Sequence, residues 1–287
     1  MTPNAPRRRA LISGLVSICA AGPARAAPAA IERAMAPSAR LWARWQPHDP
    51  HASLVVDHAA LTTTLAAIVR TRADGSTRVA YAAVTPAMRA GLDAYLAAVA
   101  AVAVARLARP EQFALWVNLY NALTLRVVLD ALARGPVRSI RDIDLSHGLF
   151  SGGPWDAKLI AVDGEPVSLN DIEHRILRPI WRDPRVHYAV NCASVGCPDL
   201  QPMAFTGAGL GARLDAAATA YVNHPRGVTP TADGLVLSSI YNWFAEDFEP
   251  DGVIAHLRRF ARPALTQALT GSAAIDSYRY DWSLNTV

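Results

Sequence analysis

The sequence has 287 residues, with 28 basic and 24 acidic side chains and a formal net charge of +4 at pH 7. The first 26 residues contain four of the arginines and no acidic residue, so the rest of the chain carries 24 side chains of each sign. This balanced remainder has no net positive field to attract phosphate, which argues against nucleic acid as a partner. Its length of about 260 residues suits one large domain, with or without an appended subdomain.

Residues 1–26 have the features of an export signal. Three arginines at 7–9 precede an apolar run over 10–21, and ARA at 24–26 matches an A-x-A cleavage pattern. The run is shorter than the roughly 20 residues that span a bilayer. Paired arginines before it indicate twin-arginine export, with an ordinary secretory signal as the alternative. We expect cleavage near Ala26 and a periplasmic or secreted mature protein.

Residues 27–108 are predicted to form a leader and a helical region. The leader, to about residue 50, is rich in Pro, Ala and Arg and is predicted to be loose, with Trp42 and Trp45 as an anchor. A helix with short extended flanks follows, and ADGS forms the turn. Thr85 and Pro86 then start a second helix as its cap and first turn. No stretch after the signal has the composition of a membrane span.

Residues 109–287 are predicted to form the core domain. The stretch EQFALWVNLYNALTLRVVLDALARG is apolar nearly all round, which predicts a central buried helix. Asn118 and Asn121 lie three residues apart on one of its faces, and buried amides need hydrogen-bond partners. These two side chains either hold loop backbone or line a polar site.

The remaining patterns predict short strands and helices. KLIAVDGEPVSL is a hairpin turning at Asp163-Gly164, and Ser168 with Asp171 caps the helix LNDIEHRIL. A strand is predicted at 186–190, then one or two strands leading into an amphipathic helix at SSIYNWFAEDF, and a last helix near 252–269. The fold class is therefore α+β, with a central helix and flanking helices packed on a small, mostly antiparallel sheet.

Two cysteines lie in the stretch VHYAVNCASVGCPDL. Cys192 follows the predicted strand, where the exposure suits a nucleophile that has a base beside it. Cys192 and Cys197 are also close enough in sequence to form a disulfide in an oxidised protein. Two cysteines at this spacing, with no second pair, lack the usual structural-zinc pattern, so no metal and no cofactor is predicted.

The histidine predicted to act with Cys192 is His174. Five extended residues between His187 and Cys192 would span about 16 Å, which argues against the nearer histidine. At 100° per residue, His174 falls on the rim of the helix 169–177, where it faces a cleft. Glu173 falls beside the buried stripe, where an acid must be paired or have a shifted pKa. It either forms an ion pair with a nearby arginine or anchors the site.

Five blocks of sequence together resemble the domain-of-unknown-function 547 family. They cover roughly residues 110 to 285 in the family's order and are FALWVNLYNALTL, VSLNDIEHRILR, VHYAVNCASVGCPDL, LSSIYNWFAEDF and YDWSLN. The family occurs in exported bacterial proteins and in plant proteins, and it has no securely assigned activity. The resemblance also implies a distant relationship to papain-like and transglutaminase-like folds.

The motifs of this family map onto individual residues here. The IEH motif places its acid and imidazole at Glu173 and His174, and the family cysteine falls on Cys192. Plant members have serine where this chain has Cys197, which favours Cys192 as the functional residue. The chain departs from the family at Ala80, where an aspartate is usual, so no acid acts there.

The leading functional hypothesis is a cysteine-dependent hydrolase or acyltransferase that acts on an amide, ester or thioester. Cys192 would attack the carbonyl, and His174 would serve as base and then acid. Glu173, Asn118 or Asp281 would orient the imidazole.

Other residues complete this predicted site. Backbone N–H groups after Cys192, with a side chain such as Asn118 or Asn121, would form the oxyanion hole. Substrate contacts are predicted from Trp155, Tyr241 and Trp243, for a small-molecule or peptide-like substrate. The alternative is a non-enzymatic binding or scaffold module in which the two cysteines are structural.

Overall fold

The computed structural model describes residues 29–145, 153–270 and 273–287. The predicted export signal at 1–26 lies outside the described residues. The α+β class is confirmed, with helices predominating over short strands. The α-helices of the described residues are α1 (Ala29–Met35), α2 (Ala59–Ile68), α3 (Pro86–Ala100), α4 (Arg109–Leu132), α5 (Arg178–Trp181), α6 (Leu210–Val222), α7 (Ile240–Trp243), α8 (Gly252–Phe260) and α9 (Pro263–Ala268).

Helix α4 is the predicted central helix, and it is buried on nearly every side. Helix α3 and the segment just before α5 pack against it. The indole ring of Trp116 meets that of Trp45 edge-on, with ring centroids 4.9 Å apart. Residues from both predicted segments, 27–108 and 109–287, therefore share one hydrophobic core around α4.

The strands form three small sheets rather than one. β1 and β2 are one antiparallel hairpin, and β3 and β4 are another that turns at Asp163-Gly164 as predicted. In the third sheet β5 and β6 are antiparallel, whereas β6 and β7 are parallel. The strands are β1 (Val69–Thr71), β2 (Thr77–Val79), β3 (Ile160–Val162), β4 (Glu165–Val167), β5 (Val228–Thr231), β6 (Gly234–Ser238) and β7 (Ile275–Arg279).

The predicted strand at 186–190 is wrong, because residues Pro184–Tyr188 form a 3-10 helix. The Asp183 side chain caps this helix by accepting a hydrogen bond from the Arg185 N–H at 2.9 Å. Proline at the first helical position suits its fixed φ angle. These local signals override the alternation of apolar residues.

A π-helix at Asp171–Leu177 runs directly into α5. The cap of this helix is confirmed: the N–H and hydroxyl of Ser168 donate to the Asp171 carboxylate at 2.9 Å each. The Arg178 N–H bonds to the Glu173 carbonyl, one residue further than in an α-helix. The wider turn rotates the side chains away from the predicted positions.

The predicted loose leader is instead bound to the core. The Arg40 N–H donates to the His174 carbonyl, and the Trp42 N–H donates to the Arg175 carbonyl, both at 2.9 Å. The Arg33 guanidinium also bonds to the Asn242 side chain. The single last helix predicted near 252–269 is two helices, α8 and α9. In the described parts of the chain, no helix is long and apolar enough to cross a membrane.

Candidate functional site

The loop that carries Cys192 is tied to the central helix by an asparagine pair. Asn121 donates to the Ala189 carbonyl at 2.9 Å and accepts from the Asn191 N–H at 2.8 Å. Asn118 makes the same reciprocal pair with the backbone of Phe205, at 2.8 and 2.9 Å. Of the two alternatives that the sequence left open, the structure therefore places both amides on loop backbone.

A sharp turn follows Cys192. Ala193 has φ of 63°, in the left-handed region that costs a residue with a Cβ roughly 1–2 kcal/mol. The Asn191 side chain accepts the Ala193 N–H at 2.9 Å and supports this conformation. At Gly196 an added Cβ would lie 2.8 Å from the backbone nitrogen of Asp281. Only glycine allows the C-terminal segment to approach the cysteine loop this closely.

Three polar groups surround the Cys192 sulfur. The thiol of Cys197 lies 2.7 Å away, the hydroxyl of Ser194 3.1 Å and the hydroxyl of Tyr280 3.2 Å. The Tyr280 hydroxyl is also 3.2 Å from the Cys197 sulfur. Both cysteines are free thiols, with Cys192 partly exposed and Cys197 buried. The site is thus a cluster of two thiols and two hydroxyls.

The two thiols of this cluster differ in acidity. The hydrogen bond from Cys197, against the opposing effect of burial and with help from Ser194 and Tyr280, lowers the pKa of Cys192 to about 7. Burial and the nearby Cys192 charge raise the pKa of Cys197 well above its usual value. Burial also raises the pKa of Tyr280, which stays a donor. Near neutral pH, Cys192 is therefore the cysteine of the pair that ionises, and Cys197 stays a thiol.

The backbone N–H groups predicted to form an oxyanion hole are already bonded. The Ala193 N–H donates to the Asn191 side chain. The N–H groups of Val195 and Gly196 donate to the carbonyls of Ser283 and Asp281 in the C-terminal segment. The Cys197 N–H donates to the Ser194 carbonyl. The Ser194 N–H faces the Cys192 sulfur itself. The donors nearest the sulfur that can turn toward a substrate are therefore hydroxyls.

A second polar cluster, the charged network, shares no member with the first. Its centre is Arg178, whose side chain is fully buried and donates to Asp247 at 2.6 Å and to Glu246 at 2.8 Å. His187 Nε2 lies 2.7 Å from the same Asp247 oxygen. Its Nδ1 lies 3.7 Å from Glu173, the acid for which the sequence left open an arginine ion pair or a role as anchor of the site. In this network, histidine is the nearest partner of Glu173.

The charges of this network stabilise one another. Burial alone would raise the pKa of Glu173, but the nearby His174 and His187 lower it to about 2. Burial alone would lower the pKa of His187, but its hydrogen bonds to Asp247 and Glu173 raise it. Burial lowers the pKa of His174 to about 4, so this imidazole is neutral at pH 7. We take His187 as the imidazolium held between two carboxylates.

The structure does not bring Cys192 and His174 together. His174 is buried rather than on the rim, and its Nδ1 accepts from Arg178 at 3.1 Å. None of the described histidines forms a hydrogen bond with the Cys192 sulfur, so His187 is no partner either. The Asp281 carboxylate instead accepts the N–H of Ser283. The error arises from the π-helix, whose wider turn invalidates a wheel of 100° per residue.

Aromatic side chains border the cysteine cluster. The rings of Trp243 and Trp282 stack with centroids 5.5 Å apart, and Tyr280 lies 4.8 Å from Trp243 and 4.6 Å from Trp282. Trp155 meets Trp282 edge-on at 6.0 Å. Two of the three predicted substrate contacts, Trp155 and Trp243, therefore lie in one aromatic row that reaches Tyr280. Tyr241 does not, because it is fully buried.

Comparison with known proteins gives one match. Residues 104–222 match the family described as "Protein of unknown function, DUF547". This part of the chain belongs to the DUF547 family. The matched region contains α4, the π-helix and both cysteines. No curated protein and no solved structure matches the chain.

Several members of the site were missed by sequence reasoning. Ser194 lies within the DUF547 match, and its position two residues after Cys192 could have indicated that it belongs to the site. Tyr280 and Asp247 gave no local signal, because their partners are distant in sequence. The sequence offered Arg178 only as a possible ion-pair partner of Glu173. Burial raises the pKa of Tyr120 on α4, and the nearby charges of Glu173 and of both cysteines raise it further.

Within the described ranges, no group of three or more His, Cys, Asp or Glu side chains is arranged to hold a metal ion.

Proposed function

We propose that the chain is a cysteine-dependent acyltransferase or hydrolase in which Cys192 attacks the carbonyl of a thioester or ester. The observation that carries this proposal is the position of the Cys192 sulfur among three hydrogen-bonding groups, from Cys197, Ser194 and Tyr280. With a pKa of about 7, roughly half of Cys192 is thiolate at neutral pH. The nucleophile then needs no histidine to remove its proton.

The absence of a bonded histidine narrows the substrate class. None of the described imidazoles contacts the Cys192 sulfur, so none is placed to protonate a leaving group. An amine leaves an amide only when it is protonated, whereas a thiolate or an acidic alkoxide leaves with its electron pair. Among the predicted amide, ester and thioester substrates, this proposal therefore favours thioesters and activated esters.

The hydroxyls of Ser194 and Tyr280 are the oxyanion donors in this proposal. The thiolate forms a C–S bond at the carbonyl carbon, and the carbonyl electrons move onto oxygen. Both hydroxyls lie within 3.2 Å of the sulfur, close to the position of that oxygen. Tyr280 stays protonated because burial raises its pKa. Collapse of the intermediate expels the leaving group and leaves an acyl group on Cys192.

The aromatic row provides the substrate surface in this proposal. Trp243, Trp282 and Trp155 extend from Tyr280, so an apolar acyl or peptide-like group would lie against their rings while its carbonyl reaches Cys192. Aromatic side chains supply large apolar area with little loss of conformational entropy. The substrate is a small molecule or peptide-like group, and nucleic acid is not expected.

Acyl transfer to Cys192 is tested directly with aryl thioester donors. In the reduced, full-length protein, Cys192 is expected to acquire one acyl group and to release the aryl thiol in a burst, as followed by intact-mass measurement. Cys192→Ala should lose the burst, and a matched amide donor should give none. If the folded protein acylates no faster than free cysteine at the same pH, the proposal is wrong.

A second candidate is a binding module without covalent chemistry. The occupied amides of Asn118 and Asn121 favour it, because they act as structural ties to loop backbone. In that case, Cys192→Ala would leave ligand binding at the aromatic row intact and no acyl adduct would form on the parent chain.

Two further expectations from the sequence belong with this proposal. We infer export after cleavage near Ala26, which N-terminal sequencing of the mature protein would test. Replacing Arg8 and Arg9, the pair that directly precedes the apolar run, by lysine should block a twin-arginine route but not an ordinary secretory one. The distant papain-like relationship also stays a prediction.

A further inference from the structure

The two thiols of the cysteine cluster have the arrangement of an attacking and a resolving cysteine. Cys192 is partly exposed, whereas Cys197 is buried directly behind it. We propose that Cys192 and Cys197 form a dithiol pair that exchanges with disulfide substrates, with Cys192 attacking and Cys197 resolving. This activity goes beyond acyl transfer, because it uses both sulfurs and a different electrophile.

The distance between the sulfurs permits this reaction. They lie 2.7 Å apart as free thiols, and a disulfide bond requires about 2.05 Å. A small side-chain movement is therefore enough to join them. The turn at Ala193, with φ of 63°, brings the chain back so that residues five apart face each other. In an extended chain these side chains would be about 16 Å apart.

The first step is attack by the exposed sulfur. The Cys192 thiolate forms an S–S bond with one sulfur of the substrate disulfide, and the other substrate sulfur leaves with the electron pair of the broken bond. Cys197, Ser194 and Tyr280 all hydrogen-bond to Cys192, so the thiolate is present at neutral pH. The product is a mixed disulfide on Cys192.

The second step depends on a change that the first step produces. Before attack, the charge and hydrogen bond of Cys192 are among the causes that raise the pKa of Cys197. Once Cys192 is in a mixed disulfide, that charge is gone. Two donors stay on Cys197: the Cys192 N–H at 3.0 Å and the Tyr280 hydroxyl at 3.2 Å. The loss of the Cys192 thiolate thus favours ionisation of the Cys197 thiol.

The resolving thiolate then closes the cycle. Cys197 attacks the Cys192 sulfur, an S–S bond forms between them, and the second substrate thiolate leaves. The proton of Cys197 ends on one released substrate thiolate, and the other takes a proton from water. The dithiol is oxidised by two electrons and the substrate disulfide is reduced by two. The oxidant is therefore the substrate disulfide itself.

The donors around the sulfurs also determine the direction of the equilibrium. Ser194 and Tyr280 stabilise a thiolate, which is lost when the disulfide forms. Stabilising the reduced form makes a disulfide more oxidising and easier to reduce. A Cys192–Cys197 disulfide is then a reactive intermediate and not the structural clip that the sequence also allowed.

A cleft beside the cysteine loop guides the choice of probe. Gly196 of the loop and Tyr280 line it, together with the basic side chains of Arg226 and Arg279 and the acidic Asp281. Its volume is about 340 Å³. Arg226 is already paired with Asp199, but the exposed Arg279 can take up a carboxylate, so oxidised glutathione is a suitable disulfide.

The experiment uses the full chain carrying Cys19→Ser, so that Cys192 and Cys197 are its only thiols. The reduced protein is mixed with oxidised glutathione, quenched with acid and weighed intact. The parent protein should become two hydrogens lighter, without a lasting adduct, and release two reduced glutathiones. Cys197→Ser and Cys197→Ala should each keep one glutathione on Cys192. Cys192→Ala should give neither product, since its buried thiol is a poor attacker.

The result that would overturn the proposal is a stable glutathione adduct on the parent protein, or no reaction beyond that of the Cys192→Ala variant. Thermal unfolding of each variant identifies any that has lost its fold. Because Cys197 is replaced by both Ser and Ala, the test still stands if one of these two variants does not fold. Acylation of Cys192 consumes no disulfide, so the acyltransferase proposal and this one fail separately.

Discussion

Two polar regions lie close to Tyr120 of the central helix, and they differ in how their hydrogen-bonding capacity is used. The charged network has the fully buried side chain of Arg178 at its centre, and its hydrogen bonds are made among its own members and to leader backbone. The cysteine cluster is neutral apart from Cys192, partly exposed, and has hydroxyls that can turn. The comparison teaches that acids and imidazoles in a sequence motif need not be the reactive groups. In this fold Glu173 and His174 of the IEH motif belong to the charged network and not to the cysteine cluster.

The largest effect should come from breaking the charged network at its centre. Arg178→Ala leaves Asp247 and the Pro37 carbonyl without their guanidinium partner. Removing one member of a buried ion pair costs about 3–5 kcal/mol, and that loss is expected in the free energy of unfolding measured with denaturant.

Arg175→Ala is the matched control. This arginine also bonds to an aspartate, but its side chain is 42% exposed and that aspartate keeps other partners. Its loss should cost less than about 1 kcal/mol. Equal losses for the two variants would mean that the network is not the stabilising element.

The next effect is the pH dependence of stability that the network confers. Burial alone would raise the pKa of Asp247, but hydrogen bonds and charges from His187 and Arg178 lower it to about 2. A depressed pKa stabilises the fold above the unfolded value of 3.8, and this stabilisation is lost as the pH falls from about 4 to 2. The difference in unfolding free energy between parent and Asp247→Asn should therefore shrink by about 2 kcal/mol over that range.

His187 gives the opposite slope. Its pKa is raised, so its contribution to the free energy of unfolding is complete below about pH 6.5 and is lost as the pH rises above that value.

The control for the acid slope of Asp247→Asn is Asp251→Asn, which removes an exposed carboxylate four residues further along the chain. If it reproduces the acid slope of Asp247→Asn, the network is not its source.

A smaller effect tests the cysteine cluster. Tyr280→Phe removes the hydroxyl that lies 3.2 Å from both sulfurs. One hydrogen bond is worth about 1.4 kcal/mol, so the pKa of Cys192 should rise by about one unit, as read from thiolate absorbance against pH. Tyr278→Phe, two residues away on β7, should leave that pKa unchanged. A rise of similar size in both variants would argue against a direct role for the Tyr280 hydroxyl.

Much of the fold follows from local sequence. The apolar run of α4, the turn at Asp163-Gly164 and the Ser168–Asp171 cap were all predicted correctly, because each depends on residues within a few positions of one another. The asparagine pair on α4 was also identified, although its partners were not.

The site itself was less predictable. The 3-10 helix at Pro184–Tyr188 and the π-helix at Asp171–Leu177 differ from the periodicity that placed His174 beside a cleft. Tyr280 joins Cys192 across 88 residues, and Asp247 joins His187 across 60. Contacts of that range depend on how the elements pack, which no local pattern in the chain records.

In the proposed function, Cys192 is activated by neutral donors of its own loop and the C-terminal segment, and not by a histidine. The most direct test is the rate of Cys192 alkylation by iodoacetamide as a function of pH, in the full chain carrying Cys19→Ser. His174→Gln, which keeps an acceptor for Arg178, is compared with its parent. We expect both profiles to rise with one inflection near pH 7. An inflection at the ordinary thiol value of about 8.5 in the parent, or a shift to that value in His174→Gln alone, would contradict the claim.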